Sequence, residues 1–106
     1  DYGKGGPANY NNLIALGSIL VNEYSAYGKA MKIYAGLIEK EPERWDAYYE
    51  MAASMQADGN IAGAMDILTR YRNEYGHVAS LDTAEQILRN ALEYERAYPE
   101  SAAAQP

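Results

Sequence analysis

One pattern constrains this 106-residue chain more than any other. Ala30-Met31-Lys32-Ile33-Tyr34 with Leu37 returns as Ala64-Met65-Asp66-Ile67-Leu68 with Tyr71. The interval from Ala30 to Ala64 is that of helical hairpins that cannot bury their apolar faces alone and stack on neighbours to do so. A third copy, Ala84-Glu85-Gln86-Ile87-Leu88 with Ala91, follows after a shorter interval. That interval leaves no room for another complete helix, so the last unit reads as a half-repeat, a helix covering the end of a short stack.

Composition narrows the chemistry. Hydrophobic residues make up 48% of the chain and charged residues 23%, which suits a single folded domain. Eleven Tyr and one Trp supply all the aromatic content. A tyrosine ring is apolar but its hydroxyl needs water or a partner, so these residues suit thin helical layers and half-wet grooves. A net charge of −6 with no stripe of Lys or Arg argues against nucleic acid. Arg70 and Arg72, flanking Tyr71, read as residues of a solvated face. Without cysteine there is no disulfide, thiolate nucleophile or cysteine-type zinc site. The longest apolar run, Leu13 to Val21, is broken by Gly17 and Ser18 and is too short to cross a bilayer, so no direct membrane insertion is expected.

Residues 1–9, rich in glycine, read as a flexible lead-in, residues 10–98 as the helical domain, and residues 99–106 as a flexible tail. Leu13, Ile14, Leu16, Leu20 and Val21 recur at spacings of three and four, predicting a helix from about Tyr10 to Tyr24. A second helix, Tyr27 to Lys40, turns Ala30, Ile33, Tyr34, Leu37 and Ile38 inward and stops before Pro42. Trp45, Tyr48, Met51, Ala52 and Met55 define a third. Asp58-Gly59-Asn60 supplies a turn, with Asn60 capping a fourth helix that carries Ile61, Ala64, Ile67, Leu68 and Tyr71 and ends near Gly76. Asp82 and Glu85 resemble a capping box that opens a fifth helix from about Leu81 to Tyr98, with Ala84, Ile87, Leu88, Ala91 and Tyr94 inward. Ala30, Ala64 and Ala84 fall where paired helices approach most closely.

These residues resemble the tetratricopeptide repeat family. Trp45, Tyr48, Met51, Ala52, Met55, Gly59, Ala64, Leu68 and Tyr71 occupy the signature places of the second unit, with Gly76 where the closing proline would stand. The first unit matches in its second helix through Ala30, Tyr34, Leu37 and Pro42. Its first helix matches through Leu13, Leu16, Gly17 and Leu20 with one extra residue in the hairpin loop, or through Ile14, Gly17, Ser18 and Val21 by strict counting. The resemblance implies an all-α, TPR-like α-α superhelix of two hairpins and a C-terminal capping helix. A five-helix bundle without a superhelical groove is the alternative.

The resemblance further implies that the first helix of each hairpin lines a concave groove for a peptide or helix of a partner protein. The matching places are Asp46, Tyr49, Ala53 and Gln56 in the second unit and, by strict counting, Asn12, Ala15, Ile19 and Asn22 in the first. The basic residues of a carboxylate clamp are missing from them, leaving a neutral to mildly acidic, aromatic groove. The ending Tyr94-Glu95-Arg96-Ala97-Tyr98-Pro99-Glu100-Ser101 is similar to units of bacterial envelope proteins, which implies a periplasmic or cell-envelope location. Simple helix termination at Tyr-Pro is the alternative and the favoured reading of that ending.

Enzymatic signatures are lacking. His77 stands alone beside Gly76 with no nucleophile or base in a recognisable spacing. No cofactor or metal is expected, since Asp58 and Asn60 resemble only a fragment of a calcium loop and read as turn residues. Glu39, Glu41 and Glu43 form an acidic run that solvates a loop. Helical periodicity turns Tyr48 into the core and Tyr49 to the groove, making Tyr49 the foremost contact residue. The chain thus reads as a non-catalytic protein-interaction or assembly module. The alternatives are a self-associating, homo-oligomeric scaffold and a small helical enzyme or ligand carrier.

Overall fold

The structure, a computed structural model, describes residues 7–98. Those residues form five α-helices and no strand: α1 Pro7–Tyr24, α2 Tyr27–Lys40, α3 Trp45–Ala57, α4 Ile61–Tyr75 and α5 Ala79–Ala97. Four of the five lie within a residue or two of the spans that apolar spacing predicts. The exception is the start of α1, which takes in Pro7 to Asn9 from the expected lead-in. Proline is favoured at a first helical position because its missing N–H would have had no intrahelical partner. Residues 1–6 and the expected tail from Pro99 onward, with the end of the envelope-like motif, lie outside the described residues.

Local chemistry sets the turns. Gly59 adopts φ +91°, a left-handed conformation that costs glycine little. Asn60 then accepts the Gly63 N–H on its side-chain oxygen at 3.0 Å, capping α4 as expected. The capping box expected of α5 does not form. This helix starts earlier, at Ala79, behind Val78, which offers no side-chain cap. Asp82 therefore lies a turn inside the helix and pairs with the His77 ring at 3.0 Å.

Consecutive helices pack on one another, and α3 touches both α1 and α2. Helix α5 stands to α3 and α4 as α3 stands to α1 and α2. The result is 48 × 32 × 17 Å, a slab about two helices thick. Its interior divides into two clusters. Tyr10, Leu13, Ala30, Ile33, Tyr34, Leu37 and Ala47 form one, and Tyr48, Ala52, Ala64, Ile67, Leu68, Tyr71, Leu81 and Leu88 the other. Ile38 and Met51 pack against both and join them.

Ala30 and Ala64 are wholly buried, as close helix approach requires. The third copy of the motif behaves differently. Ala84 is only half-buried, Ile87 is 55% exposed and Tyr94 58% exposed, against the inward placement expected of them. Helix α5 instead buries Leu81, Glu85 and Leu88. It occupies the place of a first helix against α3 and α4, whereas Ala30 and Ala64 belong to second helices. Equal local sequence meets different neighbours, so a different face is covered. Leu16, one of the apolar residues whose spacing predicts α1, is 42% exposed.

Candidate functional site

The link before α3 fixes how that helix is turned. Arg44, its N-cap residue, gives no side-chain cap. The Tyr10 hydroxyl reaches from α1 and accepts the Ala47 N–H at 3.1 Å, satisfying an amide of the first turn. Over the same tyrosine ring lies the Arg44 guanidinium, 3.8 Å from the centroid. From the other side the Tyr71 hydroxyl donates to the Glu43 carbonyl. Arg44 also reaches Glu41 at 3.7 Å and Asp46 at 3.9 Å.

With the link clamped, α3 buries Ala47, Tyr48, Ala52 and Ser54. Asp46, Tyr49, Ala53 and Gln56 face a trough between α3 and α5. Trp45 and Tyr49 meet edge to face, ring centres 6.2 Å apart. One part of the trough is a hollow of about 410 Å³ lined by Ile14, Trp45, Asp46, Tyr49, Glu50, Ser80 and Thr83. A smaller hollow of about 130 Å³ adjoins it through Tyr49, Ser80 and Thr83, and is otherwise walled by α3 residues Ala52, Ala53 and Gln56 and α5 residues Ala84, Ile87 and Leu88. Tyr49 is 38% exposed and borders both.

Electrostatics separate the two compartments. Asp46 and Glu50 stand one helical turn apart on the wall of the larger hollow. Burial, and then the charge of Asp46, push the Glu50 carboxyl above the usual carboxylate range. Among the described residues Glu50 has no ion-pair partner. The smaller hollow carries no charged side chain. Rings, a methyl-rich floor and two carboxylates can hold a ligand by apolar contact and charge, while His77 lies away at the α4–α5 connection. Among the described residues no group of three or more histidine or acidic side chains is placed to hold a metal. No helix there is long and apolar enough to cross a membrane.

Four expected groove residues, Asp46, Tyr49, Ala53 and Gln56, thus share one trough. Asn12 and Asn22 are not among its lining residues, and Asn22 instead donates to Ser18 at 3.1 Å. Helix α1 contributes Ile14, which precedes Tyr49 by one position more than the interval from Ala30 to Ala64. Burial of Leu13 and Gly17 as counterparts of Tyr48 and Ala52 follows the same offset, so the first hairpin holds the extra residue that strict counting omits. Ser80, Thr83 and Ile87, missed in the sequence, follow Asp46, Tyr49 and Ala53 at the interval that separates Ala30 from Ala64. Extending that period beyond α3 would have found them. Compared with known proteins, the chain matches no family model, no curated protein and no solved structure.

Proposed function

We propose that the chain is a non-catalytic protein-interaction module whose hairpins stack in the manner of tetratricopeptide repeats. The trough across α1, α3 and α5 receives a peptide or helix of a partner protein. One observation carries this reading. Ile14, Tyr49 and Thr83 line the trough from three alternate helices, each separated from the next by the sequence period of the repeat, with one extra position in the first hairpin. A surface built once per repeat suits a ligand long enough to touch several repeats, whereas a small substrate needs a more enclosed site. The trough side chains are held by packed helices, so little ordering opposes binding.

Panning a displayed library of random peptides on the chain tests the proposal, with Trp45, the only tryptophan, as a fluorescent reporter inside the larger hollow. Selected peptides should change Trp45 emission. Tyr49→Ala should weaken them by at least ~1 kcal/mol with unchanged helicity, while Asn12→Ala should not. Equal affinity for both variants sinks the groove assignment.

A self-associating scaffold is the second reading. It is favoured by a hollow of about 410 Å³ between α1 and α2, lined by Leu16, Leu20, Lys29, Lys32 and Ile33. Light scattering across a concentration series distinguishes the two.

A further inference from the structure

The two compartments of the trough differ in a way that specifies more than a general partner. We propose that the larger hollow receives a lysine or arginine side chain of the bound segment while the smaller one receives an apolar side chain two to three positions away. This rests on the reading of the trough as a partner-binding groove.

Charge complementarity argues for the basic residue. Of the side chains lining the larger hollow, two are acidic and none is basic. Asp46 meets Arg44 only at 3.9 Å, and Glu50 meets no cation among the described residues. Two like charges a turn apart on a half-buried wall repel, and a cation between them removes that repulsion as it binds. The aromatic surroundings suit the same occupant. Trp45, Tyr49 and Ile14 offer surface for the aliphatic stem of Lys or Arg, and the face of either ring would attract its charged head. An acidic or phosphorylated segment would instead add charge of the same sign. The neighbouring hollow, floored by Ala52, Ala53, Ala84, Ile87 and Leu88, accepts an apolar group.

Spacing follows from helix geometry. The α3 residues around Asp46 and Glu50 precede those around Ala53 and Gln56 by about six positions, or about 9 Å along the axis. About 9 Å is the reach of two to three positions of extended chain.

The displayed random-peptide library again provides the probe, followed by synthetic copies of the selected peptides. Enriched sequences should carry Lys or Arg two to three positions from an apolar residue. Exchange of that Lys for norleucine, or of Arg for citrulline, should weaken binding about tenfold, the scale of a lost charge-assisted contact. Glu50→Gln and, separately, Asp46→Asn should each remove most of the difference between the charged peptide and its neutral analogue. Circular dichroism establishes that each variant folds. Enrichment of peptides without a basic residue, weakened by Tyr49→Ala and unaffected by Glu50→Gln, overturns this inference and leaves the groove reading intact. Failure to enrich any peptide overturns both.

Discussion

The Tyr10 hydroxyl accepts an amide proton at the start of α3, where no other side chain serves as a cap. Tyr10→Phe removes that acceptor and should lower stability by about 1 kcal/mol in chemical denaturation. Tyr34, one helix away, is fully buried, and its hydroxyl makes no well-formed hydrogen bond among the described residues, although the Ser54 side chain lies beside it. There the same substitution gives up at most that contact with Ser54 and relieves the burial of a polar atom, so Tyr34→Phe should cost less stability than Tyr10→Phe. The Tyr34 ring also explains Gly17. A Cβ at that position would come within 2.5 Å of its hydroxyl and ring carbon, and a wholly buried ring has nowhere to swing. Gly17→Ala should therefore cost about 1 to 3 kcal/mol, the usual penalty of overpacking. Burial, the leading cause at both residues, pushes the Tyr10 and Tyr34 hydroxyls from 10.0 up to about 12. As pH rises through this interval the unfolded chain releases these protons first, so stability is whole below pH 10 and falls toward pH 12. Denaturation midpoints measured across that range should decline, and less steeply in Tyr34→Phe.

Helix α5 depends on one buried carboxylate among leucines. Glu85 is 4% exposed, accepts a hydrogen bond from Thr69 at 3.1 Å, and faces Arg72 at 3.4 Å and Arg89 at 3.5 Å. Glu85→Ala would leave a cavity between Leu81 and Leu88 and strip Arg72 of its partner. A loss of about 1 to 3 kcal/mol is expected, with hydrogen exchange accelerated in α5 before α1 and α2. This helix also marks the boundary of what the sequence discloses. Spacings of three and four positions locate all five helices, and Asn60 announces its cap, because both signals are local. The side of α5 that meets the stack is not local. Ala84-Glu85-Gln86-Ile87-Leu88 copies the motif of the second helices, yet α5 packs as a first helix and leaves Ile87 exposed. Asp82 and Glu85 have the spacing of a capping box, but one pairs with His77 and the other enters the core. On α1 the groove position opposite Tyr49 shifted from Ala15 to Ile14 because the first hairpin is one residue longer between Gly17 and Ala30 than the second between Ala52 and Ala64. A period identifies a face, whereas loop length decides which residue occupies it.

At the scale of the molecule, association between copies must overcome a net charge of −6. The hollow lined by Leu16, Leu20 and Ile33 offers apolar contact, but Lys29 and Lys32 line it too. A two-fold dimer through this face would set those lysines near their own copies, because such an interface repeats the same patch on both partners. A stable pair also needs roughly 1,200 Å² or more of buried surface, beyond what one shallow hollow supplies. Head-to-tail contact is electrostatically better, with Lys29 and Lys32 against the exposed Glu93 and Glu95 of α5. Such a contact joins unlike faces and, unless it closes into a ring, extends into chains. Light scattering over a wide concentration range should therefore return one mass near 11.7 kDa. If mass instead climbs steadily past the dimer, the head-to-tail contact is the cause. Lys32→Glu should then reverse the climb through charge and Leu16→Glu through lost apolar contact, while Tyr49→Ala leaves it unchanged. That combination would make the scaffold reading the leading one, because association would then proceed through a face separate from the trough.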